Sequence, residues 1–186
     1  MQTLAPSSLG LLYGCSEIIL SLARRSRTTG PSRDRHSLII LWLLIGIGVW
    51  LSIMAVNWFR FAGIRFRFID ALGVLLFAAG IFLRWYAIIH LGRFFTVNVS
   101  IATEHKLIDS GPYRFIRHPS YSGALLAFVG YGLCLHNWLA LILLLIPVTI
   151  GFLWRIHVEE KVLNDALGED YRRYSARTKR LFPFLY

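Results

Sequence analysis

Between His105 and Gly123 the chain reads HKLIDSGPYRFIRHPSYSG, with Tyr113, Arg114, Arg117 and His118 close together. No apolar helical period explains these side chains by packing; they are hydrogen-bonding groups set between long apolar stretches. Ser110-Gly111-Pro112 reads as a turn, because Gly accepts positive φ while Pro fixes its own φ and removes a donor. Pro119 then starts a new element. The plain alternative is a basic loop at a membrane surface that only fixes topology. Further along, Arg155 and Glu159 are four residues apart and share one helix face. Arg155 suits a carboxylate or phosphate, and Glu159 a cationic or hydroxyl-bearing ligand. The plain alternative here is an ion pair along one helix, worth a few tenths of a kcal/mol.

The elements that position these residues follow from composition. The 186 residues are 56% hydrophobic with a mean hydropathy of +0.56, which marks an integral membrane protein. The net charge of +10 gathers in a few clusters. A basic nucleic-acid binder shares that charge but not the apolar runs, so nucleic acid is excluded as a partner. Cys15 and Cys134 both lie in apolar segments and read as buried thiols, not as a metal site or disulfide framework.

Met1 to Ala23 carries one charge, Glu17, and reads as a retained first span, not a cleaved signal. A basic Gly/Pro/Ser-containing loop follows, and Ser37 to Phe59 is a charge-free second span with Trp58 at its end. After the short link from Arg60 to Asp70, Ala71 to Gly92 forms a third span. Arg84 near its centre costs about 2.5–3.5 kcal/mol on insertion scales, so it either pairs with Glu17 or snorkels to an interface. Pro119 to Trp154 is charge-free and, at 1.5 Å per residue, would reach roughly 54 Å as one helix, beyond a hydrocarbon core of about 30 Å. It therefore folds as a hairpin, Tyr121 to Leu135 and Trp138 to Trp154, with Pro147 predicted to kink the second arm. From Arg155 to Tyr174 the tail reads as a helical continuation, with Gly168 a point where it ends or bends.

The fold class is thus all-α: about five transmembrane helices plus a cytosolic C-terminal helix, in one membrane-embedded domain over 1–186. Residues 1–92 hold three spans, and 93–186 hold the polar loop, the hairpin and the tail. Lys and Arg crowd the first loop, the polar loop and the tail, with few in the link from Arg60 to Asp70. The positive-inside rule then places the N-terminus outside and the polar loop and C-terminus in the cytoplasm, across the inner membrane in a bacterium.

The polar segment, followed after the hairpin by R-x-x-x-E-E and LGEDYRRY, resembles the isoprenylcysteine carboxyl methyltransferase family, including its small bacterial and archaeal members. The resemblance runs from Leu91 to Pro183. It implies S-adenosyl-L-methionine bound between loop and C-terminal helix, and a lipid-like or prenylated acceptor entering from the bilayer, with no metal. Its cofactor contacts fall on His105, Lys106, Leu107, Ile108, Tyr113, His118, Pro119, Ser120, Tyr121 and Glu159. The family's upstream glutamine falls on Asn98, a shorter amide. Its substrate-side arginine falls on Arg155, the catalytic residue of this reading.

Methyl transfer to a carboxylate needs alignment and water exclusion more than proton transfer, since a carboxylate is already ionised at pH 7. The family also resembles membrane phospholipid methyltransferases, and an amine acceptor would first have to lose a proton. Neither the glycine fingerprint nor the strand-turn-helix pattern of a soluble dinucleotide-binding core is present. The rival of another class is a non-catalytic scaffold that binds anionic lipid through its basic loops. A transporter would show internal repeats or paired broken helices, which this sequence lacks.

Overall fold

The structure is a computed structural model and describes residues 6–23, 35–64, 66–92 and 107–183. Helices α1 (Pro6–Ala23), α2 (Arg35–Trp58), α3 (Ile69–Leu91), α4 (Pro119–Cys134), α5 (Trp138–Leu167) and α6 (Glu169–Arg177) follow in order. Three are long and apolar enough to cross a membrane among the described residues: His36–Trp58, Ile69–Leu91 and Trp138–Leu167. The other two predicted spans are shorter helices, 18 residues in α1 and 16 in α4. Helix α4 is enclosed by protein, packing on α3, α5 and α1.

Backbone contact between α3 and α4 comes from glycine. A methyl group at Gly80 would lie 2.6 Å from the Gly123 carbonyl, and one at Gly123 2.6 Å from the Arg84 nitrogen. Two turns on, a methyl at Gly130 would lie 2.5 Å from the Gly73 carbonyl. Small residues at such a seam let helices approach closely where lipid offers no hydrophobic driving force. On the other flank α5 packs on α2, with Leu41, Ile45, Leu144, Val148 and Phe152 in one buried cluster. Large apolar side chains point outward, as on α3 where Leu75, Phe82 and Ile89 recur at seven-residue intervals on one exposed face. Cys134 is buried as expected, whereas Cys15 sits on an exposed face of α1.

The hairpin tip lies where the sequence predicts. Asn137 caps α5 by accepting from the Ala140 amide at 2.9 Å, and its amide group donates to the Phe59 carbonyl at 2.9 Å. The Ile64 amide donates to the His136 carbonyl at 2.8 Å, so this tip and the α2–α3 connection share one end of the bundle. Helix α5 runs unbroken through Pro147 and extends past Trp154 to Leu167. The tail is not one helix to Tyr174. Gly168, at φ 53°, ends α5 by donating to the Asn164 carbonyl at 2.9 Å, and α6 starts afresh.

Candidate functional site

At the opposite end of the bundle, the polar loop meets the last turns of α5. Ser110, Gly111 and Pro112 make the predicted turn: Gly111 has φ 57°, and Gly111–Arg114 form a short 3-10 turn. A methyl on Gly111 would lie 2.6 Å from the His90 ring, so the turn folds directly onto α3. Tyr113 is buried there, its ring stacked 6.3 Å from His90 and its hydroxyl donating to the Ala87 carbonyl at 3.3 Å.

His118 sits just before α4 and is 5% exposed, so its contacts define its role. Its ring stacks on Tyr121, with centroids 5.5 Å apart and planes 8° from parallel. Its two nitrogens face two carboxylates of α5: Nδ1 is 3.8 Å from Glu159, and Nε2 is 3.4 Å from Glu160. The Tyr121 hydroxyl donates to Glu159 Oε2 at 2.8 Å. Loop and helix are thus bonded through the side chains singled out in the sequence.

The two carboxylates differ in use. Glu160 accepts from Arg117 Nε at 2.8 Å and Arg180 Nε at 2.9 Å. It lies beyond the apolar stretch that ends at Trp154. Burial opposes its ionisation, but the hydrogen bonds and charges of His118 and Arg117 prevail and lower its carboxyl to about 2. Glu159 is more open, with 27% of its side chain exposed against 13% for Glu160. Glu160 is therefore a structural anchor, whereas the Glu159 carboxylate keeps part of its surface open.

One turn earlier on α5, Arg155 is 2% exposed and donates from Nη1 to Ser37 Oγ on α2 at 2.5 Å. Pro119 and Ser120 are buried in the first turn of α4, and Leu107 and Ile108 lie in partly exposed chain leading to the turn. The structure therefore gathers Tyr113, His118, Pro119, Ser120, Tyr121, Arg155 and Glu159 at one end. Asn98, His105 and Lys106 lie outside the described residues.

Sequence reasoning missed the strap that closes this end. Arg117 and His118 donate backbone N–H to the carbonyls of Lys179 and Arg180 at 2.7 and 3.0 Å, and Ser122 Oγ donates to the Leu181 carbonyl at 2.6 Å. Arg117 also donates to the Ser175 carbonyl at 3.0 Å and to the Thr178 carbonyl. Tyr174 of α6 donates to the Tyr113 carbonyl at 2.8 Å. Glu160 belongs to the quoted R-x-x-x-E-E, so its second carboxylate was a visible signal. Ser37 carried none.

A helical membrane protein with a polar, carboxylate-bearing site at one end of its bundle is the class these features define. The family profile for phospholipid methyltransferases matches residues 68–170. Protein-S-isoprenylcysteine O-methyltransferase B of Arabidopsis thaliana is 31% identical over 180 residues, covering 94% of this chain and 89% of its own. A probable protein-S-isoprenylcysteine O-methyltransferase of Oryza sativa subsp. indica is 32% identical over 123 residues, 65% of this chain. The match spans 64% of that rice relative's length. The solved structure of a eukaryotic intramembrane Ras methyltransferase, isoprenylcysteine carboxyl methyltransferase, shares the fold at TM-score 0.70 and 23% identity, covering 97% of this chain and 65% of its own. The chain belongs to the isoprenylcysteine O-methyltransferase family.

Proposed function

We propose that this chain is an S-adenosylmethionine-dependent methyltransferase acting on the carboxylate of an isoprenylcysteine-like or other lipidic acceptor. The observation that carries the reading is the meeting of Tyr121, His118 and the half-open Glu159 carboxylate where loop and α5 converge. The cofactor carries an ammonium, a sulfonium and ribose hydroxyls, and a partly exposed carboxylate beside aromatic rings fits that donor set and charge. When bound, it supplies an electrophilic methyl group.

His118, Tyr121 and Glu159 would hold the cofactor, with Leu107, Ile108, Tyr113, Pro119 and Ser120 shaping the wall. Asn98, His105 and Lys106 complete the set implied by the family motif. Arg155, one helical turn inward from Glu159, orients the acceptor carboxylate, and Ser37 holds the guanidinium in place. Because the acceptor is already ionised at pH 7, no general base is needed. The chain contributes alignment and water exclusion at the lipid boundary. The distribution of Lys and Arg supports an orientation with this end cytoplasmic and the N-terminus outside.

The phospholipid methyltransferase profile favours a second reading, in which an amine is methylated and Arg155 binds the phosphate. Methyl incorporation from labelled cofactor into a prenylated cysteine analogue, and into phosphatidylethanolamine, decides between them. A carboxyl acceptor gives a base-labile ester and a rate flat above about pH 6, where carboxylates are ionised. An amine product whose rate rises with pH would replace it, and transfer to neither substrate class would sink both readings.

A further inference from the structure

Glu17 on α1 and Arg84 on α3 are 7% and 8% exposed and take no part in the site just described. They form a two-pronged pair: Arg84 Nε donates to Glu17 Oε1 at 2.6 Å, and Nη2 donates to Oε2 at 2.7 Å. An apolar pair of similar volume commonly holds two helices as well as a buried ion pair does, so helix packing alone does not explain these residues.

The remaining guanidinium nitrogen gives the reason. Arg84 Nη1 donates to the Ser120 carbonyl at 3.2 Å, in the first turn of α4 between His118 and Tyr121. Gly123 brings the α3 backbone at Arg84 against α4, since a methyl there would lie 2.6 Å from the Arg84 nitrogen. On the other side of the pair, α1 is locked in register, because Trp85 Nε1 donates to Ser16 Oγ at 2.7 Å beside Glu17. A planar guanidinium has donors enough to hold the carboxylate and the carbonyl together, which a lysine ammonium on a flexible stem does not match.

We propose that Glu17 and Arg84 are positioning residues for the cofactor site: Glu17 fixes the Arg84 guanidinium, and Arg84 sets where the first turn of α4 carries His118 and Tyr121. This inference rests on the cofactor reading above.

The test compares the full-length detergent-purified chain with Glu17→Met/Arg84→Met and with Arg84→Lys. Each is titrated with S-adenosylhomocysteine, melted, and assayed for the KM of the lipid acceptor. The double variant keeps an apolar contact between α1 and α3 and removes the Ser120 bond. Its Kd is expected to weaken about tenfold, the size of one charge-assisted hydrogen bond, with wild-type melting and acceptor KM. Unchanged Kd in the folded double variant overturns the proposal, because packing alone would then suffice. Should the double variant fail to fold, Arg84→Lys decides: weakened cofactor binding at wild-type melting supports positioning, and wild-type Kd overturns it. If the wild type itself binds no S-adenosylhomocysteine, the cofactor reading fails and takes this inference with it. Failure of the inference alone is seen as equal binding by wild type and variants.

Discussion

The Tyr171 hydroxyl is buried and, among the described residues, lacks a hydrogen-bond partner. A buried hydroxyl without a partner is a cost, so Tyr171→Phe is expected to raise stability of the ligand-free protein by about 1 kcal/mol, read as a higher melting temperature. A second prediction concerns Glu160. Its folded pKa of about 2 lies below the ordinary 4.5, so its stabilising contribution is complete above pH 4.5 and is lost as pH falls towards 2. Amide exchange at Arg117 and His118, whose N–H groups bond to the strap, is expected to accelerate relative to the intrinsic rate at each pH over that range. In Glu160→Gln the acceleration should vanish, and a wild-type pH response in that variant would contradict the assignment. At this scale the sequence was partly legible. Desolvation cost demanded a relief for Arg84 but could not choose between Glu17 and snorkelling; the two-pronged geometry chose pairing. The contact of Arg155 with Ser37, 118 positions away, left no local trace.

For the elements, the governing contact is the glycine seam between α3 and α4, since it places the loop at one end of α3 against the start of α4. Gly80→Leu would drive a side chain into the Gly123 carbonyl and is expected to cost about 3 kcal/mol or more, with weakened cofactor binding. Gly46→Ala on α2 is the control: its methyl meets nothing within 4 Å, so helix propensity alone should stabilise by about 0.5–1 kcal/mol. Thermal melting of both variants in detergent checks the contrast. Helices α2, α3 and the apolar part of α5 were legible because long apolar runs with few or no charges, bounded by arginines and turn residues, are span signals that need no tertiary context. The end of the tail helix was less so, because one Gly either interrupts or caps. Its φ of 53° and bond to Asn164 made it a cap. The strap over 178–181 was invisible because it is held largely through its own backbone carbonyls, at Thr178, Lys179, Arg180 and Leu181, and these leave no side-chain pattern.

Across the whole molecule, the alternation of helices puts the polar loop, the end of α5 and α6 together, and the hairpin tip with the α2–α3 connection at the other end. The proposed site thus lies at one end of a bundle whose outer faces are apolar. An acceptor with a lipid tail and a polar head matches that division, whereas a wholly soluble acceptor would leave the apolar surroundings of Arg155 without a use. The central claim is that loop and α5 form a cofactor site through Glu159. Calorimetric titration of the detergent-purified chain with S-adenosylhomocysteine, wild type beside Glu159→Ala, tests it most directly. The account predicts saturable binding by the wild type and a loss of about tenfold or more in the variant, since a charge-assisted hydrogen bond is removed. A well-folded wild type that binds nothing, or a variant that binds as tightly as the wild type, would contradict it.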